Sequence, residues 1–220
     1  MPPRRSHRKS RAGCAACKQR RVKFTTIGDE SQSMVGNMVM LYELVQGIGV
    51  VTLQHQDGLR EAPILRNIKP LDDLPAKPLE SSLILAFAKL NSTNEEVHNP
   101  ALDQSRIAKL QTIAIHATCQ KAIVHLEDFF SKCEEPAYRG YALAWLNMTG
   151  KDYVAAVQDA DPVALLILAY WGVLVKKCGD GIWWAQSIGR NLVEELTDVM
   201  PANDLALEPC ISWARGQVGL

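Results

Sequence analysis

Residues 163–175, VALLILAYWGVLV, constrain this chain more than any other segment. The tract is apolar on nearly every face, and Asp161-Pro162 stands directly before it. An aspartate accepts hydrogen bonds from the free N–H groups of a helix N-terminus, and proline fits the first turn, so the pair predicts a helix start. Lys176 and Lys177 complement the negative helix end, and Gly179 predicts the stop. A helix that is apolar all round must be surrounded by other elements. Its 13 residues fall short of the roughly 20 that cross a bilayer, so it reads as a central core helix with no membrane span.

The remaining periodicity is helical as well. Met38, Val39, Leu41, Tyr42, Leu44, Val45 and Ile48 recur at helical spacing, ending near Gly47 and Gly49, with a second short helix expected over 50–55. Residues 57–80 hold Pro63, Pro70, Pro75 and Pro78 and read as a connecting segment with one short helical turn. Ser81 or Ser82 is the expected cap of a helix reaching about Leu90. Asn99-Pro100 predicts the start of a long helix to about Cys133. Its apolar face is read as Ile107, Leu110, Ile113, Ala114, Ala117, Ile123, Leu126, Phe129 and Phe130. Residues 138–145 continue a helical pattern, and Thr149 is the expected cap of a helix over 152–159. A further helix over 182–196 carries Trp184, Ile188, Leu192 and Leu196 at four-residue spacing and ends before Pro201. No alternating strand stands out, so the expected class is all-α: a compact multi-helix domain over 34–220 behind a disordered basic arm over 1–33. Trp145, Trp171, Trp183 and Trp184 are read as packing anchors.

A formal net charge of zero hides a division along the chain. Residues 1–23 hold nine of the 24 Lys and Arg and no acid, so the remainder carries 15 bases against all 24 acids, a formal charge of −9. A basic arm on an acidic domain predicts a nucleic-acid contact or a nuclear-import tail, and charge alone leaves the two open. The N-terminus lacks the apolar stretch of a secretory signal, and six scattered cysteines do not form a disulfide pattern.

Within the arm, Cys14 and Cys17 make a C-x-x-C pair, followed at once by Lys18, Arg20, Arg21 and Lys23. This resembles the first half of the fungal Zn(II)2Cys6 binuclear cluster, in which six thiolates hold two zinc ions. The family's third cysteine follows after six residues; Phe24 stands there, and the next cysteine is Cys119. A tetrahedral zinc takes four ligands, so Cys14 and Cys17 supply half a site. The resemblance implies that Arg20 and Arg21 reach guanine edges of CGG-type DNA sites, while Lys18 and Lys23 contact phosphate. With an incomplete cluster the arm is expected to stay unfolded and to bind DNA weakly and without sequence preference. A transcript that skips the rest of the cluster and genuine loss of its cysteines both fit the break.

Residues 40–56 and about 139–220 resemble the helical regulatory domain of Zn(II)2Cys6 factors of the sterol uptake control type. The matching stretches are Leu44-Val45-Gln46-Gly47-Ile48-Gly49-Val50, Asp161-Pro162-Val163-Ala164-Leu165, Trp183-Trp184, Glu208-Pro209-Cys210-Ile211-Ser212-Trp213 and Gln217-Val218-Gly219-Leu220. The resemblance implies a nuclear regulator of RNA polymerase II genes in sterol, lipid or secondary-metabolite pathways. It implies a sterol or lipid-like ligand and a homodimer as candidate partners. A second reading is a ligand-responsive or dimerising helical module that modulates other factors without touching DNA. Enzyme motifs are not found: no G-x-S-x-G, H-E-x-x-H or P-loop occurs, and no enzymatic activity is expected. His116 and Cys119 share a helix face with no identifiable partner, read as a surface histidine beside a core cysteine. Cys119, Cys133 and Cys178 are expected in the core or at its edge.

Overall fold

The computed structural model describes residues 33–54, 70–99, 105–133, 135–179, 183–200 and 204–220. Among them every regular element is helical and no strand occurs, so the class is all-α, as the periodicity implies. In chain order the helices are α1 Met34–Gln54, α2 Ser81–Val97, α3 Arg106–Lys132, α4 Trp145–Thr149, α5 Lys151–Gln158, α6 Pro162–Cys178, α7 Trp183–Val199 and α8 Glu208–Val218. Short 3-10 segments cover Leu71–Asp73 and Arg139–Ala144.

Helix α6 is the axis of the fold, and every residue from Val163 to Val175 is buried. Asp161 caps it as expected, its side chain accepting from Ala164 N. Gly179 ends it with a right-handed backbone (φ −73°), so it contributes no left-handed turn. The largest partner of α6 is α7. Their backbones come close at Gly172 and Gly189: a Cβ placed on Gly189 would lie 2.5 Å from Gly172 O. Leu192, Val193 and Leu196 fill the rest of the α7 inner face.

Aromatic side chains lock the layers through their polar ends. Trp145 Nε1 donates to Ala122 O (3.2 Å) and Trp171 Nε1 to Ala142 O (2.8 Å), with the two indoles stacked 5.9 Å apart. Tyr153 Oη–H donates to Ala164 O at 2.9 Å, fixing the first turn of α6 on α5. Buried indole and phenol groups with partners anchor a core without leaving a desolvated polar atom. Trp145 and Trp171 are thus the packing anchors expected of them; the side chains of Trp183 and Trp184 lie outside the described residues.

Several boundaries differ from expectation, each for a physical reason. Helix α1 runs unbroken through Gly47 and Gly49 to Gln54 in place of two helices. Glycine weakens a helix by only about 1 kcal/mol, and α1 packs on α7, α4 and α5. Helix α2 continues past Leu90 to Val97, and its N-cap is Glu80, not Ser81 or Ser82. Asn91, Thr93 and Asn94 are poor helix formers, yet all three bond to neighbouring segments, which holds the last turns. Helix α3 begins after Ser105, whose hydroxyl accepts from Ala108 N, so Asn99 is not its cap. Thr149 donates to Leu146 O and does not cap α5; Gly150, at φ 82° and ψ 168°, makes that turn in a region open essentially to glycine. Of the segment 139–145, Arg139–Ala144 forms a 3-10 turn and Trp145 begins α4. Helix α8 was not anticipated: Pro209 sits in its first turn and Gly219 closes it in the left-handed region at φ 76°.

The apolar stripe of α3 splits in two. Ile123, Leu126, Phe129 and Phe130 are buried, but Ile107, Leu110 and Ile113, read as core, face solvent at 71%, 58% and 53% exposure. From Ile115 onward α3 lies against the rest of the domain. Periodicity reports a face, and the length of the partner elements decides how much of that face is covered.

Candidate functional site

The predicted DNA contacts Lys18, Arg20, Arg21 and Lys23 and the predicted zinc ligands Cys14 and Cys17 lie outside the described residues. Within the domain, polar chemistry gathers where α2, α3 and the α5–α6 junction meet. Asp161 is its pivot. Helix α5 closes with Ala160 N–H on Val157 O (3.1 Å) and Asp161 N–H on Ala156 O (2.9 Å), with Ala160 at φ 56°. This is a Schellman closure, with alanine where glycine is the usual occupant. It delivers Asp161 directly to the start of α6, where Oδ1 accepts from Ala164 N at 2.8 Å.

The other carboxylate oxygen, Oδ2, lies 2.9 Å from His98 Nε2. His98 caps the C-terminus of α2, and its side chain is 6% exposed. Its Nδ1 is 2.7 Å from Asn94 Oδ1. The orientation of Asn94 follows from its neighbours. Asn94 Nδ2 donates to His116 O and Gln120 Oε1, and Gln120 Nε2 donates in turn to Asn91 Oδ1. Asn94 Oδ1 is therefore the acceptor and His98 Nδ1 the donor. The second ring nitrogen, Nε2, bonds to Asp161 Oδ2, so both nitrogens of this buried ring have partners. A buried, fully bonded pair of this kind is costly to break from one side. It clamps the end of α2 to the head of α6.

Cys119 Sγ lies 4.0 Å from Asp161 Oδ1 and is fully buried. Burial, and next the Asp161 charge, push its thiol well above the ordinary range. The thiolate is the reactive form of cysteine, so Cys119 is held inert. Its sulfur faces the carboxylate rather than the imidazole, which is not the nucleophile–base–carboxylate order of a catalytic triad. One ligand atom each from His98, Cys119 and Asp161 lies within 4.8 Å of the others, a donor set compatible with zinc. A metal there would have to take His98 Nε2 from its bond with Asp161 and strip the thiol while Asp161 keeps its helix cap. Sequence reasoning picked out Cys119 but paired it with His116. Its actual neighbours, Asp161 and His98, lie on other elements, and His116 meets His98 only ring to ring at 6.3 Å.

A second concentration of chemistry lies at the opposite ends of α3 and α6. A groove of about 270 Å³ is lined by Lys77, Glu80, Phe130, Arg139, Lys177 and the thiols of Cys133 and Cys178, among others. Cys119, Cys133, Cys178 and Cys210 are all buried and unbridged, the first three in line with their expected place in the core. No described helix is long and apolar enough to cross a membrane by itself; α6 is apolar because it is enclosed by the fold. Comparison with protein-family models, with curated proteins and with solved structures found no match.

Proposed function

We propose that this chain is a nuclear transcriptional regulator of RNA polymerase II genes related to the fungal Zn(II)2Cys6 factors, with the helical unit as its regulatory part. The observation that carries this reading is the order of the chain. Cys14, Cys17, Lys18, Arg20, Arg21 and Lys23 precede a separate all-helical unit that begins at Ser33. Zinc at Cys14 and Cys17 would need further ligands. Without them, contact with DNA would be made by the basic residues alone, through phosphate charge rather than base edges. The effector remains of the sterol or lipid class that the resemblance implies.

A second reading is favoured by the exposed stripe on α3. Ile107, Leu110 and Ile113 form an apolar ladder at helical spacing that a binding module would present to a partner helix or to a second copy. In that reading the protein modulates other factors and does not itself read DNA.

One experiment separates the two. The purified full chain is titrated against a CGG-containing duplex and a scrambled duplex at low and moderate salt, with zinc present, and its zinc content is measured. If further ligands complete the zinc site at Cys14 and Cys17, the regulator reading expects tighter binding to the CGG duplex, lost in Arg20→Ala/Arg21→Ala. The module reading expects equal binding to both duplexes, vanishing as salt rises. Absence of any DNA binding at low salt would remove the DNA-contact role of the arm altogether.

A further inference from the structure

Two cysteines line the groove at the ends of α3 and α6. Cys133 is the C-cap of α3, and Cys178 is the last residue of α6. Cys178 Sγ–H donates to the backbone carbonyl of Cys133 at 3.6 Å. Both line the groove, together with the cationic Lys77, Arg139 and Lys177. The two thiols are not equivalent. The hydrogen bond from Cys133 lowers the Cys178 thiol most, aided by Arg139 and Lys177 and opposed by burial. The same hydrogen bond and burial raise Cys133, as does Asp128, while Lys132 acts the other way. This asymmetry, an ionisable sulfur beside a protonated one, is what a two-cysteine oxidation needs. Cys119 and Cys210 have no such setting: Cys119 lies against a carboxylate, and Cys210 Sγ against Thr93 Oγ1 at 3.6 Å.

We propose that Cys133 and Cys178 are a hydroperoxide-responsive dithiol, in which Cys178 is oxidised first and Cys133 closes a reversible disulfide between the ends of α3 and α6. In the first step the Cys178 thiolate attacks one peroxide oxygen and the O–O bond breaks. The sulfur is oxidised by two electrons to sulfenic acid, and the peroxide is reduced to an alcohol, or to water from hydrogen peroxide, taking up a proton. In the second step the Cys133 sulfur attacks the sulfenic sulfur. The S–O bond breaks, the S–S bond forms, and water leaves with the Cys133 proton. A cellular thiol reverses the reaction by exchange. The cations of the groove favour the thiolate and the departing oxyanion.

The test uses the full chain carrying Cys14→Ser and Cys17→Ser, which removes the other closely spaced pair. Hydrogen peroxide is added at a few equivalents, and disulfides and free thiols are mapped by peptide mass spectrometry. The expected product is one Cys133–Cys178 link, with Cys119 and Cys210 still reduced and full reversal by dithiothreitol. In a Cys133→Ser variant, a dimedone adduct should accumulate on Cys178. In a Cys178→Ser variant, the labelling of Cys133 should fall at least tenfold. Oxidation spread evenly over the four core cysteines would overturn the proposal. So would a link involving Cys119 or Cys210, or resistance of both thiols at peroxide levels that already oxidise exposed methionine. Because the linkage map is made on folded parent protein, failure of either variant to fold leaves the decision intact.

Discussion

The close approach of α6 and α7 at Gly172 and Gly189 makes the sharpest prediction. A Cβ added at Gly189 would lie 2.5 Å from Gly172 O, 2.6 Å from Lys176 N and 3.0 Å from Lys176 Cβ, whereas ordinary contact begins near 3.4 Å. The obstacles are backbone atoms of a buried helix, so no side chain can swing away. Helix α7 would have to recede by roughly 1 Å, and a gap of that size forfeits about a quarter to a half of each dispersion contact. Leu192, Val193 and Leu196 would all lose contact together. Overpacking costs about 1–3 kcal/mol, and the rigidity of both sides puts Gly189→Ala near the top of that range. Alanine returns about 1 kcal/mol of helix propensity. The net expectation is a loss of about 2 kcal/mol, a fall in Tm of about 4–8 °C for a domain of this size. Gly172→Ala meets Val193 Cγ2 at 3.0 Å and Gly189 O at 3.1 Å and should cost less. Gly216→Ala on α8 meets nothing within 4 Å and should stabilise by up to about 1 kcal/mol. Urea and thermal melts followed by far-UV circular dichroism measure all three. If Gly189→Ala were as stable as the parent while Gly216→Ala showed its gain, the tight crossing would be refuted.

Four further outcomes follow from the same structure. Asp161→Ala removes the α6 cap and leaves His98 unpaired, a loss of about 3 kcal/mol in urea melts, whereas Asp161→Asn keeps the cap and should lose less. Ala160→Gly relieves a left-handed alanine and should raise stability by about 1 kcal/mol in the same assay. Ser at Ile107, Leu110 or Ile113 should change stability by no more than about 0.5 kcal/mol, while Leu126→Ala should cost about 2–5 kcal/mol. Cys119, Cys133, Tyr153 and Tyr170 are all raised by the fold, from ordinary values of 9.0 for the thiols and 10.0 for the phenols. These groups ionise more readily in the unfolded chain, so their contribution is complete below pH 9 and declines as pH rises beyond it. Urea midpoints should fall on that alkaline side; a midpoint unchanged as pH rises above 9 would contradict the burial of these groups.

The sequence by itself determined the all-α class, the central helix and its Asp161-Pro162 start, because these depend on local spacing and on the hydrogen bonds of one turn. It also picked out the basic arm with Cys14 and Cys17, where residue types in a row carry the signal. Tertiary structure decided the rest. The run of Asn91, Ser92, Thr93 and Asn94 looks like the end of a helix until its side chains find Ala206, His116 and Gln120 on other segments. Ile107, Leu110 and Ile113 look like core, yet among the described residues they face solvent. His98, Cys119 and Asp161 stand far apart along the chain, and so do Cys133 and Cys178, so no spacing announces either cluster. Periodicity records which face of a helix is apolar; the identity of the neighbour on that face is a property of packing, and the chemistry of a buried imidazole or thiol depends on that neighbour.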